Sequence, residues 1–123
     1  MLWIEGQGSI SHPAYSGVTL GLLHGSAPHA LVLVHEPGRT HLDMPNGPPI
    51  APLSQLIDDY QRLAAYVRPA RVVAVSLKTN RLTDADARAA IAAAETETGL
   101  PADDPVRYGA GRLLDAVIAA QSD

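Results

Sequence analysis

The 123-residue sequence predicts an α/β protein in one domain: a mostly parallel sheet flanked by helices. Two runs, Ala30-Leu31-Val32-Leu33-Val34 and Arg71-Val72-Val73-Ala74-Val75-Ser76-Leu77, are nearly continuously apolar and β-branched rather than alternating, the pattern of strands covered on both faces. Segments of helical periodicity separate the strands. The resulting order β-α-β-loop-α-β-α-β-α implies right-handed crossovers.

Taken in order, Leu2-Trp3-Ile4-Glu5 reads as a first strand that ends on an acid and breaks into Gly6-Gln7-Gly8-Ser9. A helix follows from His12 to Leu23, with Pro13 suited to its first turn. The second strand ends at His35-Glu36-Pro37-Gly38. A Pro- and Gly-rich stretch, 38–52, is too long for a simple turn and has the character of a functional loop. From Leu53 to Val67, apolar residues at Leu53, Leu56, Ile57, Tyr60, Leu63, Ala64 and Val67 keep the i, i+3, i+4, i+7 spacing of a helix. The third strand ends at Lys78-Thr79-Asn80. Thr83, followed by Asp84 and Asp86, starts a helix that Gly99 stops after Thr98. A short strand over 105–108 and a final helix over 111–121 complete the chain. A sheet that opens with a strand of the central type leaves a bare edge, so the expectation is an N-terminal domain upstream, a homo-oligomer, or a partner that covers the edge.

Composition narrows the function. Cysteine is absent, which excludes a disulfide framework and thiolate metal sites. The net charge is −4 and the arginines are scattered, so the basic footprint of a nucleic-acid binder is missing. No apolar run approaches the roughly 18–20 residues of a membrane span, and no signal-peptide layout opens the sequence. A cytoplasmic protein acting on a small molecule is the expectation. Abundant alanine and the absence of phenylalanine suit close helix–sheet packing.

Glu5 is the leading candidate for chemistry. In open α/β sheets ligands sit beyond the carboxyl ends of strands, and an acid there, followed by glycines that admit close approach, can hold Mg²⁺ or its water; the alternative is an acid capping a strand-to-loop turn. This is the form of a Walker-B strand, although no G-x-x-x-x-G-K-[ST] loop occurs in the sequence. Gly6, Gln7, Gly8 and Ser9 would line such a site. His12, Tyr15 and Ser16 open the next helix, where free amides attract anions, or simply cap and pack it. His35, Glu36, Arg39, His41 and Asp43 cluster after the second strand: as metal ligands, as a substrate- or phosphate-facing loop with Arg39 contacting the anion and His35 or Glu36 as acid or base, or as a solvated loop. Lys78 and Asn80 either meet a nucleotide base or belong to the entry of the next helix. Asp103-Asp104-Pro105 reads as a turn.

These stretches together carry a resemblance. Glu5-Gly6-Gln7-Gly8-Ser9, His12-Pro13-Ala14-Tyr15-Ser16-Gly17-Val18-Thr19-Leu20-Gly21-Leu22-Leu23-His24-Gly25, His35-Glu36-Pro37-Gly38-Arg39, Thr98-Gly99-Leu100-Pro101 and Asp104-Pro105-Val106-Arg107-Tyr108-Gly109 resemble a bacterial and archaeal family of P-loop proteins. That family was long labelled a domain of unknown function and includes D-glutamate (D-amino-acid) N-acetyltransferases. Its members are longer, with a Rossmann-like domain and a P-loop before the region seen here. The resemblance implies a P-loop NTPase-like fold similar to dethiobiotin synthetase, lacking its P-loop, and a C-terminal portion that begins at the Walker-B strand. It also implies Mg²⁺ at Glu5 with ATP or acetyl-CoA, Lys78 to Asn80 near the base, and an amino-acid-like substrate. His12 or His35 would take the proton from its amine.

Overall fold

In the computed structural model, which describes residues 1–6 and 8–122, three strands and five helices build an α/β fold. The elements are α1 (Ser16–Ser26), β1 (Ala30–His35), α2 (Leu53–Ala65), β2 (Arg71–Leu77), α3 (Asp84–Thr98), β3 (Ala102–Asp103), α4 (Pro105–Tyr108) and α5 (Gly111–Gln121). The sheet order is β1-β2-β3 and both ladders are parallel, as the continuous apolar runs predict. A register shift between Leu31 and Val32 makes Val32 face Ala74 while Leu31 faces Val72. Gln61 of α2 accepts the Val72 amide at 2.9 Å beside this irregularity, satisfying a donor on the central strand.

The core lies between the sheet and its helices. Leu33, Leu53, Leu56, Val72, Val75, Leu77, Ile91, Ala94 and Ala102 form one buried cluster. Each fully buried Leu or Val side chain contributes about 1.5–3 kcal/mol through water released from apolar surface. Ala74, Ala87 and Ala102 are completely buried; their short side chains let backbones approach closely, so the filling of the core rests on few large groups. A smaller cluster of Leu23, Ala64 and Ala70 fastens α1 to α2, where His24 Nε2 also meets the Leu63 carbonyl at 2.7 Å.

Two predicted strands are corrected. Residues 2–5 form no strand: Leu2, Trp3 and Ile4 are exposed. An extended segment with no neighbouring strand has no ladder to satisfy its amides, so an apolar run alone does not make one. Residues 105–108 form the helical turn α4, because the Asp104 carboxylate accepts the amides of Val106 (2.9 Å) and Arg107 (3.0 Å) and Pro105 stands in the first turn. This is N-cap chemistry; the strand is Ala102–Asp103, before the capping Asp104. Helix α1 starts at Ser16 rather than His12, and Pro13 belongs to the preceding turn. At the far end, Ala27 adopts a left-handed conformation, its amide bonding the Leu23 carbonyl, and Pro28 follows, which disfavours further helix.

Helix α3 has the predicted ends. The Thr83 hydroxyl accepts the Asp86 amide at 3.1 Å, and Gly99 closes the helix at φ +69°. Replacing Thr83 by Ala is expected to cost about 1 kcal/mol, read as a lower urea midpoint at unchanged slope. The 38–52 loop closes on itself through an antiparallel bridge of His41 with Pro49 and through Ile50 N–H to the Thr40 carbonyl (2.8 Å). Gly47 lies so close to the Leu42 carbonyl that a Cβ there would overlap its oxygen.

Candidate functional site

The carboxyl ends of the parallel strands gather one set of the predicted residues. The His35 carbonyl, ending β1, accepts the Lys78 amide that leaves β2 at 2.9 Å, which ties the two strand ends together. Burial pushes the His35 imidazole below its usual pKa, against the raising influence of Glu97 and Glu36. The ring is therefore neutral at pH 7 and able to accept a proton. Lys78 and Asn80 are exposed on either side of buried Thr79. Among the described residues, the Lys78 ammonium makes no ion pair.

What holds this end rigid is a buried polar knot that sequence reading missed. Asp104 Oδ2 accepts the Thr79 amide at 3.0 Å and also the Thr79 hydroxyl. Arg107 then donates from Nε to Thr79 Oγ1 (3.1 Å) and from Nη2 to the carbonyls of Thr79 (2.7 Å) and Leu82 (2.8 Å). Burial raises the Asp104 pKa, but the Thr79 hydroxyl and the amides of Arg107, Thr79 and Val106 outweigh it and hold the carboxyl below its ordinary value. The 78–82 turn is thus clamped to the β3–α4 turn, fixing where Lys78 and Asn80 stand. The signal in the sequence was faint: one Thr at a strand end and an Asp before Pro, separated by 25 positions.

Around this centre, Glu36 and Asp43 flank Arg39 at 3.8 and 3.5 Å, and His41 Nδ1 meets Thr40 Oγ1 at 2.9 Å. The metal reading of this loop is corrected. Among the described residues no group of three or more His, Cys, Asp or Glu is placed to hold a metal ion; Glu36 and Asp43 pair instead with Arg39.

The second predicted set is elsewhere. Gly8 (φ +74°) packs on Tyr15, and a Cβ at Gly8 would lie 2.6 Å from that side chain's Cβ, so the glycine serves a tight turn. Ser9 Oγ accepts the Ser11 amide at 3.3 Å. His12 is buried, its Nδ1 accepts the Ala14 amide (3.1 Å), and its ring lies 4.6 Å from that of Tyr15. The Ile10 amide reaches the Tyr60 hydroxyl at 3.1 Å, pinning the turn to α2. Among the described residues no hydrogen bond or ion pair joins this turn to His35, Lys78 or Asn80. Among the described residues Glu5 is exposed with neither kind of partner and Gly6 approaches Leu22 of α1; Gln7 lies outside the described residues.

Residues 1–114 match the model of the domain of unknown function DUF1611, described as its C-terminal P-loop domain. The chain belongs to the DUF1611 family. A solved structure of a DUF1611 family protein from Anabaena variabilis superposes with a TM-score of 0.88 at 46% identity, covering 94% of this chain and 34% of that one. A protein of Tritonibacter scottomollicae named D-glutamate N-acetyltransferase is 44% identical over 94% of this chain and 35% of its own length. One of the same name from Pseudoalteromonas sp is 36% identical over 94% of the chain and 34% of its own length. The DUF1611 chain thus spans about a third of the curated relatives it matches. No helix among its described residues is long and apolar enough to cross a membrane.

Proposed function

We propose that the strand-end site of His35, Lys78 and Asn80 serves the N-acetylation of a D-amino acid, D-glutamate first among them. The observation that carries this reading is the 44% identity with a D-glutamate N-acetyltransferase across 94% of the chain. The chemistry of the site supports it. An amine must be neutral to attack the carbonyl of acetyl-CoA. The nitrogen–carbon bond forms, the carbon–sulfur bond breaks, the thiolate takes up a proton, and the nitrogen gives one up. His35, held neutral by burial, is the base for that last proton. A substrate with two carboxylates needs cations, and the unpaired Lys78 ammonium supplies one; Arg39 supplies a second, shared with Glu36 and Asp43. Asn80 offers an amide donor beside Lys78. His12, whose Nδ1 already accepts the Ala14 amide, serves the turn rather than the reaction.

Acetyl-CoA rather than ATP is the donor in this reading. Of the Mg²⁺ site expected from the sequence, the described residues hold one exposed carboxylate, Glu5; such an ion takes its remaining oxygens from waters and phosphates. No step is assigned to a metal.

Amide hydrogen exchange of the chain with millimolar D-glutamate and acetyl-CoA tests the reading. Protection is expected at 35–36 and 78–80, and less with L-glutamate. Protection confined to the 8–15 turn, or none at any concentration up to solubility, overturns it.

A further inference from the structure

We propose that the cavity between α3 and α5, beside β3, binds a free α-amino acid, its ammonium on Asp103 and its carboxylate on Arg88. The cavity measures about 330 Å³, within the range of small-molecule sites. Arg88, Glu95, Asp103, Tyr108 and Arg112 line it around the apolar Ile91 and Ala92. His35, Lys78 and Asn80 do not, so it is separate from the strand-end site.

Asp103 is what points to a ligand. This acid is only 7% exposed, and a buried charge is costly unless its oxygens are paired. Its Oδ1 accepts the Asp104 amide at 2.9 Å. Its Oδ2 has no hydrogen bond among the described residues. The ion-pair partner of Oδ2, Arg112 Nη1, stands 4.0 Å away, beyond hydrogen-bond length. Arg112 is committed elsewhere: Nη1 donates to the Ala102 carbonyl and Nη2 to Glu95 Oε2, both at 2.9 Å. An ammonium entering the cavity therefore finds a carboxylate oxygen with room to accept.

The same cavity presents a fixed cation. Arg88 Nε donates to Asp84 Oδ2 at 3.1 Å, and its guanidinium lies 4.5 Å over the Tyr108 ring. The Tyr108 hydroxyl donates to the other Asp84 oxygen at 2.5 Å, so one carboxylate sets both ring and guanidinium. Nη1 and Nη2 of Arg88 make no hydrogen bond among the described residues, and two such donors grip a carboxylate side by side. An α-amino acid carries both complements on one carbon, and Ile91 with Ala92 gives a small aliphatic side chain an apolar strip. An anion alone would leave Asp103 unmet; a cation alone would leave Arg88 unmet.

The test titrates L-valine into the 123-residue chain and follows backbone amides by two-dimensional NMR. Saturable shifts are expected at 88–92 and 102–104. Isobutylamine and isovalerate, each with one of the two charged groups, should bind about tenfold more weakly, the loss of one charge-assisted contact. Asp103→Asn and Arg88→Gln should each weaken L-valine by a similar factor of about ten. Ala92→Leu fills the cavity from an exposed position outside the buried clusters and should abolish binding, which keeps the test decisive if Asp103→Asn does not fold. Asp86→Asn, on α3 but away from the lining, should change nothing. Absence of saturable shifts up to the solubility of L-valine overturns the proposal. So do shifts confined to 35–36 and 78–80, or parent affinity in folded Ala92→Leu. Isobutylamine or isovalerate binding as tightly as L-valine overturns it too, since the cavity then reads a single charge. No arm uses acetyl-CoA or turnover, so the outcome is independent of the acetyl-transfer reading.

Discussion

Replacing Asp104 by Ala is expected to destabilise the chain by about 3 kcal/mol, the cost of leaving several buried donors without an acceptor. The carboxylate accepts from the Thr79 amide and hydroxyl and from the amides of Val106 and Arg107. Its loss orphans these together and uncaps α4. A chain of this size is stable by only about 5–15 kcal/mol, so a drop in melting temperature of roughly 10 °C follows. Asp104→Asn keeps the shape and one acceptor oxygen and is expected to fall between the two. The pH dependence separates charge from shape. Because hydrogen bonds hold the folded Asp104 pKa below its unfolded value, its contribution is complete above about pH 3.9 and is lost as pH falls through the lower folded value. His35 acts in another window: burial lowers its folded pKa, so protonation begins to favour the unfolded chain below about pH 6.5. Urea midpoints measured from pH 7 to pH 3 check both. Asp104→Asn should flatten the dependence below pH 4 and leave the limb near pH 6 in place. An Asp104→Ala variant as stable as the parent would show that the knot holds nothing.

Leu56→Ala is the second large effect, with an expected loss of about 3 kcal/mol from transfer and cavity terms together. Leu56 is buried among Leu33, Val72, Val75 and Leu77. Leu56→Met, which conserves volume, should cost under about 1.5 kcal/mol. Val106→Ala, at an exposed position, should change nothing. Thermal or urea unfolding of the three variants reads the ranking, and equal stability of Leu56→Ala and Val106→Ala would contradict the assignment of the core.

How much of this was legible in the sequence follows from which signals are local. β2 over 71–77, the Thr83 cap, the Gly99 stop and the helix over 111–121 were read correctly, because each depends on residues within a turn or two of one another. The Leu2–Glu5 stretch failed for the opposite reason: being a strand depends on a neighbour, and the pattern of four residues does not contain the neighbour. At 105–108 the β-prone Val106-Arg107-Tyr108 hid the stronger fact that Asp104 caps two amides with Pro105 behind it. The same limit governs the site. His35, Lys78 and Asn80 were visible as strand-end residues, and the structure gathers them at one end of the sheet. His12, the alternative base that the resemblance implies, stands in the turn before α1, its Nδ1 accepting the Ala14 amide. Thr79, Asp104 and Arg107 were invisible as a unit, since their contacts join two turns that only the fold brings together.

The central claim, that this chain carries the strand-end site of a D-amino-acid N-acetyltransferase, meets its most direct test in turnover by the joined polypeptide in which the 123 residues replace the matched part of the Tritonibacter scottomollicae enzyme. N-acetyl-D-glutamate formed from D-glutamate and acetyl-CoA, quantified by mass spectrometry, should appear at a rate within tenfold of the unaltered enzyme. His35→Ala should lower it at least 100-fold, in keeping with loss of a general base, while His12→Ala lowers it far less. A folded joined protein that forms no product, or one indifferent to His35→Ala, would contradict the account.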